Sequence, residues 1–340
     1  MRSLFPFSSL FASTLTLSTL IALSASHWLL IWMSLEMNLM SFIPLMSMSK
    51  TQQETEAAIK YFLAQAMGSA LFLLSLLLMS SPIPSLTPFL PYLLLTMSLL
   101  LKLGAAPLHF WFPNVMASLS WIPCLILTTW QKLIPLILLM ALTTANSPIF
   151  IHLASASSAI IGGLGGLNQS FLRPLLAYSS IGHIGWIMAL STLTASFSIL
   201  YLIIYILTIT PLIMILHSLH LSSLRQLLNL SSNSPFSTFA TLALMMSLGG
   251  LPPLMGFLPK WLALESFSTA PFLGLLAASL ILGSLMNLYY YLNICFSMTL
   301  TSNSSIQSYF FTSIPQWTSM LILPSSATLM LAPVIVIMFS

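Results

Sequence analysis

Leu93-Leu-Leu-Thr-Met-Ser-Leu-Leu-Leu-Lys102-Leu-Gly104-Ala-Ala-Pro107-Leu-His109-Phe-Trp-Phe112 is the stretch on which the fold turns. It begins as a continuous apolar run, carries one lysine in its middle, and then breaks on a glycine and a proline. Strict alternation of polar and apolar residues, the mark of a membrane-barrel strand, is absent. An apolar run of about 20 residues is the length at which a helix crosses a bilayer. A break inside such a helix frees backbone groups that protein or water must then satisfy.

Runs of this kind fill the chain. Of its 340 residues 58% are hydrophobic and only 4% are charged, against roughly a quarter charged in a soluble domain. No water-soluble exterior can be made from that composition. The chain therefore reads as an all-α polytopic membrane protein. It has about eleven spans by the length criterion, at 4–24, 28–47, 57–80, 89–112, 121–144, 148–168, 172–193, 196–219, 236–257, 270–296 and 319–339. Connections are short, and only 49–56, 168–174 and 217–235 are notably polar. Arg2 followed by an apolar stretch to Leu23 has the outline of a signal peptide. The same pattern continues down the chain and no soluble segment follows, so 4–24 reads as the first membrane helix.

Eight bases and four acids are too few and too scattered for a nucleic-acid surface, which needs a clustered basic face. Arg2, Lys50, Arg173 and Arg225 all follow an even number of spans, hence lie on the side of the N-terminus. The positive-inside rule puts that side on the cytoplasmic or matrix face, with the C-terminus opposite. Cys124 and Cys295 sit in apolar segments and fit neither a disulfide framework nor a metal site. They read as small packing residues.

The opening stretch has an echo. Gly104-Ala-Ala-Pro107 ending at Phe112 lines up with Gly249-Gly-Leu-Pro252 ending at Phe257, at a spacing near 145 residues, and Glu36 lines up with His183. Both pairs are five spans apart, and an odd number of spans inverts the second copy. The spacing predicts two inverted five-helix repeats, 4–144 and 148–296, each with one broken helix, and a C-terminal helix at 319–339. Chance is the competing explanation, since Gly and Pro are common in membrane helices. Paired interruptions of this kind point to an ion path.

Four charges are candidates for burial: Glu36 and Lys132 lie mid-span, Lys102 just before a proline break, and Lys260 just after a double-proline break. Each charge near the bilayer centre costs roughly 2.5–3.5 kcal/mol on the insertion scale. Four cost on the order of 10 kcal/mol, comparable with the ~5–15 kcal/mol that holds an ordinary fold. A cost of that size argues for function. Snorkelling to an interface competes with this reading, most strongly for Lys260, near a span end. A lysine holds or releases its proton according to the water and negative charge around it. One carboxylate among lysines thus makes a chain in which each member biases the next. His109, beyond the break, and His183, in Ser179-Ser-Ile-Gly-His183, are candidates to join, because histidine titrates near neutrality. His217 and His220 read as interfacial, and His27 and His152 as span-edge residues.

Other features have plainer readings. Glu56 and Lys60 form an i,i+4 pair worth tenths of a kcal/mol, with Lys60 a secondary candidate for the path. Gly162-Gly-Leu-Gly-Gly166 lacks the spacing and the preceding strand of a nucleotide-binding loop. It reads as close helix packing. No Ser/His/Asp, Cys/His or metal-ligand pattern stands out.

With these residues in place, the chain resembles the subunit 2 family of mitochondrial NADH:ubiquinone oxidoreductase, respiratory complex I, in its animal form. The resemblance rests on Leu35-Glu36-Met37-Asn38, Ala58-Ile-Lys60-Tyr-Phe-Leu-Ala-Gln65, Lys102 to Trp111, Trp130-Gln-Lys132, Leu172 to His183, and Gly249 to Trp261. Together these cover nearly the whole chain; none suffices alone. The resemblance implies an antiporter-like membrane-arm subunit with eleven helices in two inverted repeats. It implies that Glu36, Lys102, Lys132 and Lys260 form a proton path. It implies a mitochondrial inner-membrane location with the N-terminus on the matrix side. The implied partners are other membrane-arm subunits, neighbouring antiporter-like subunits among them, and membrane lipids. FMN, iron–sulfur clusters, NADH and ubiquinone would then belong to other subunits, leaving no cofactor here. Two rivals stay open: a self-standing cation/proton antiporter of the same fold, and a structural spacer of the membrane arm.

Overall fold

A computed structural model describes residues 5–48, 51–80, 89–143, 149–230, 235–252, 254–268 and 273–302. Three long helices come first: α1 (Phe5–Ser24), α2 (Trp28–Met46) and α3 (Gln52–Ser80). The third starts earlier than hydropathy suggests. Thr51 Oγ1 accepts the backbone N–H of Glu54 at 3.4 Å, and Glu54 sits in the first turn. A hydroxyl cap and an acid at the positive end both favour starting the helix there.

The fourth expected span is two helices, α4 (Phe89–Leu103) and α5 (Trp111–Ser118), separated by a turn. The fifth is α6 (Trp121–Thr128) and α7 (Trp130–Thr143), interrupted at Thr129, whose hydroxyl bonds back to Leu125 O at 2.7 Å. Then come α8 (Ile149–Leu167), α9 (Leu172–Ser191) and α10 (Ala195–Ser218). The polar connection 217–235 is not all loop, because it contains α11 (Leu224–Leu230). The ninth expected span is again broken, into α12 (Pro235–Gly249) and α13 (Phe257–Ser268), and runs past the limit of 257 read from hydropathy. Lys260 therefore lies within the second half-helix rather than beyond a span. The last described helix is α14 (Gly274–Ser302). The expected span 319–339, Arg2 and Lys50 lie outside the described residues.

Seven helical segments among the described residues are long and apolar enough to cross a membrane. Outward faces stay oily, with Leu29, Leu63, Met67, Leu153 and Leu275 exposed. Serine and threonine hydroxyls along the helices bond back to the preceding turn, as Ser34 does to Ile31 O at 2.6 Å and Thr208 to Tyr205 O at 2.9 Å. This lets polar side chains sit in apolar surroundings without an unmet donor. The chain is a multi-pass membrane protein.

Two compact units make up the fold, Met1–Ala154 and Ser155–Ser340, divided inside α8. In the first, α1 packs on α2, α2 on α3, α3 on both α4 and α5, and α7 on α4 and α6. In the second, α10 packs against α9, α12 and α13, and α14 against α9, α11, α12 and α13. A β-carbon on Gly162 would lie 2.5 Å from Gly182 N, and one on Gly163 2.9 Å from Gly283 O. The glycine run thus brings α8 into backbone contact with α9 and α14, the close packing expected of it. Cys124 and Cys295 are buried free thiols.

Candidate functional site

The two broken helices end their first halves in the same way. Gly104 (φ 68°) and Gly250 (φ 83°) both adopt the left-handed backbone that glycine alone takes freely. Gly104 N–H bonds to Leu101 O at 3.1 Å and Ala105 N–H to Leu100 O at 3.0 Å. Gly250 N–H bonds to Ser247 O at 3.0 Å and Leu251 N–H to Met246 O at 3.3 Å. Each is a Schellman cap, with its three-back and five-back bonds. The two turns match each other, but Gly104 corresponds to Gly250, one residue beyond the Gly249 with which the sequence echo aligns it.

Side chains also donate to carbonyls at the breaks. Trp111 Nε1 donates to Leu101 O at 3.0 Å, and Gln65 Nε2 to Lys102 O at 3.3 Å. At the second break Lys260 Nζ donates to Gly249 O at 2.9 Å. An unmet backbone group in hydrocarbon costs several kcal/mol, so these caps let the breaks persist.

In the first unit, Lys102 is 8% exposed and Lys132 4%. Gly68 on α3 makes room for Lys102: a β-carbon there would lie 3.2 Å from Lys102 Cγ. The Lys102 ammonium stands 5.6 Å from the Phe72 ring centroid, and that of Lys132 4.7 Å from that of Phe112. Such contacts are an electrostatic attraction between the ammonium and the ring face. Glu36 is half-buried on α2. Between the two lysines lies a cavity of about 20 Å³. Its polar lining is Asn38, Tyr61, Gln65, Gln131 and the lysines themselves. A volume of roughly 10–15 Å³ by this measure holds one water.

One wall of the cavity is a closed amide pair. Asn38 Nδ2 donates to Gln131 Oε1 at 3.0 Å, and Gln131 Nε2 donates back to Asn38 Oδ1 at 3.2 Å. The pair ties α2 to α7 and so sets where Lys132 is presented.

In the second unit Lys260 is 7% exposed and lies against Gly250, where a β-carbon would be 2.7 Å from its Nζ. His183 is buried on α9, with Nδ1 3.0 Å from Tyr201 Oη and its ring 5.2 Å from that of Tyr205. His109 is buried in the turn after Gly104, its ring 4.3 Å from Phe110. It does not line the cavity. Lys60 is exposed on α3 and pairs with Glu56. The cavity thus joins Lys102 and Lys132 of the predicted residues, and neither Glu36 nor Lys60 lines it. Among the described residues no three His, Cys, Asp or Glu side chains come together as a metal site would need. The sequence reading did not single out Asn38, Gln65 and Gln131. Asn38 and Gln131 lie within two residues of Glu36 and Lys132, and that proximity was the available signal.

The family described as NADH:quinone oxidoreductase/Mrp antiporter, TM, matches residues 25–300. NADH-ubiquinone oxidoreductase chain 2 of Lumbricus terrestris is 43% identical over 86% of this chain and 87% of its own length. Among solved structures, a chain of respiratory complex I from Thermus thermophilus superposes with a TM-score of 0.83 and 28% identity, covering 96% of this chain and 77% of that one. A chain of the Mrp complex from a Dietzia species reaches a TM-score of 0.76 at 16% identity, over 95% of this chain and 74% of that one, a likeness of fold.

Proposed function

Because this chain belongs to the NADH:quinone oxidoreductase/Mrp antiporter transmembrane family, and within it to the NADH-ubiquinone oxidoreductase chain 2 group, we propose that it is a core membrane-arm subunit of a proton-pumping NADH:ubiquinone oxidoreductase. Electron transfer from NADH to quinone, in other subunits, drives protons through its buried glutamate and lysines. FMN, the iron–sulfur clusters and both redox substrates are held by those other subunits. Its place is the mitochondrial inner membrane, N-terminus on the matrix side, among other membrane-arm subunits, antiporter-like ones included, and lipid. The chain is built on two inverted five-helix repeats, 4–144 and 148–296; the twin Schellman turns at Gly104 and Gly250 support this.

The observation that carries the proposal is the cavity between Lys102 and Lys132. A water there accepts a proton from one ammonium and donates to the neighbouring amine. Lys102 then becomes neutral and Lys132 charged, with no backbone motion. Glu36 sets how strongly Lys102 holds its proton, and a change of charge at Glu36 releases it. Lys260 continues the path in the second unit, with His109 and His183 in supporting positions.

Lys132→Met keeps the length of the side chain and removes the proton. In the intact complex in sealed vesicles, protons moved per NADH oxidised are expected to fall well below the wild-type ratio. An unchanged ratio would reduce the chain to a spacer. The isolated chain in liposomes is expected to show no cation/proton exchange; exchange there would favour a self-standing antiporter.

A further inference from the structure

A second cavity lies wholly in the Ser155–Ser340 unit. It measures about 290 Å³ and is lined by residues of α8, α9, α11, α14 and the segment before α9. Gln169, Tyr289, Tyr290, Asn293 and Ser297 give it a polar lining. At roughly 30 Å³ per water, it holds a string of several. Two segments meet at its end of the unit, tied by the Phe171–Ser223 bridge, with Leu172 N–H on Ser222 O and Leu224 N–H on Ser170 O, each at 3.1 Å. They carry Arg173 and Arg225, so the cavity sits at the basic end.

Behind it stands a cluster of buried hydroxyls. Tyr290 lines the cavity and its ring is 4.6 Å from that of Tyr291. Ser179 on α9 is within reach of both hydroxyls, and Ser180 of that of Tyr205. Tyr205 in turn faces His183. On its other side Tyr291 abuts the second broken helix: a β-carbon on Gly249 would be 3.8 Å from Tyr291 Cδ2, and Gly249 O is the acceptor for Lys260 Nζ. Tyr290 is 4% and Tyr291 0% exposed. Neither hydroxyl makes a protein hydrogen bond of good geometry, nor does Asn287 Oδ1, whose side chain packs on Gly182 next to His183. Buried polar groups are rarely left so. Phenylalanine would fill the same space without that cost. Tyr290, in the cavity wall, is placed to bond with water there, and Tyr291 stands behind it.

We propose that this cavity is a water-filled access from the Arg173/Arg225 end, and that Tyr290 and Tyr291 relay protons from it toward Lys260 and His183. The proposal rests on the proton-path reading above. In each relay step the tyrosine oxygen takes a proton from water on the cavity side and releases its own proton to the next acceptor. Composition is unchanged, and rotation of the hydroxyl restores the start.

Tyr290→Phe and Tyr291→Phe keep both rings and remove the relay oxygens. In the intact complex in sealed vesicles, Tyr291→Phe is expected to lower protons moved per NADH several-fold. Ser297→Cys tests the cavity separately. Relative to the same variant left unlabelled, it is expected to lose pumping several-fold once a charged, water-soluble thiol reagent applied from the Arg173/Arg225 side has labelled it. Cys124 and Cys295 are buried and set a low background. Wild-type ratios in Tyr291→Phe and in labelled Ser297→Cys, with Lys132→Met defective, overturn the access and leave the lysine path intact. A Ser297→Cys that the reagent never reaches also overturns it, even if the tyrosine variants fail to assemble. A normal ratio in Lys132→Met overturns the underlying reading instead.

Discussion

Two adjacent glycines at the second break give opposite expectations. Gly250→Ala forces alanine into a left-handed backbone at φ 83°, a cost of about 1–2 kcal/mol. Its β-carbon would also fall 2.7 Å from Lys260 Nζ, pushing the ammonium off Gly249 O. Losing a hydrogen bond to a charged group costs about 1.5–3 kcal/mol. The two effects sum to about 2.5–5 kcal/mol on the break, roughly two to four orders of magnitude in the population of the native turn. Gly249→Ala meets nothing closer than 3.8 Å and ends a helix that alanine favours by roughly 0.5–1 kcal/mol. The assay is thermal stability of the assembled complex, read together with protons moved per NADH. Gly250→Ala is expected to lower both, and Gly249→Ala neither. Equal effects, or a harmless Gly250→Ala, would refute the argument that the turn holds Lys260 in place.

A β-carbon on Gly256 would lie 1.7 Å from Ser247 O, so Gly256→Ala must move backbone; the yield of assembled complex, measured by native gel, is expected to collapse. Asn38→Ala strands the Gln131 amide, at about 1–3 kcal/mol. In thermal denaturation the Asn38→Ala/Gln131→Ala double variant is expected to lose less than the sum of the singles, with additivity ruling out the pair as a unit. Lys60→Ala removes an exposed helix pair with Glu56 worth about 0.2–0.5 kcal/mol, and pumping assays are expected to match wild type.

The spans were legible because lipid permits only one backbone solution for continuous apolar runs, and ten of the eleven expected segments correspond to described helices. The breaks were legible because glycine and proline mark them directly. What sequence hid was how far each broken helix continues. Trp111–Ser118 and Phe257–Ser268 are short, and hydropathy averages them into their neighbours. The interruption at Thr129 has no glycine or proline at that position to announce it. Glu36 and the three lysines stood out because charge in lipid is costly. Asn38, Gln65 and Gln131 are neutral and so carried no such signal. Tyr290 and Tyr291 were silent for another reason: tyrosine at a membrane interface is common, and only packing puts these two in the interior.

The central claim is that a proton passes between Lys102 and Lys132 through the cavity they share. A density map of the intact complex at a resolution that shows ordered water tests it most directly. The account predicts a water in the space of about 20 Å³, within hydrogen-bond distance of both lysine nitrogens and touching the Asn38–Gln131 pair. A dry cavity, or a Lys132 turned outward to lipid, would contradict it.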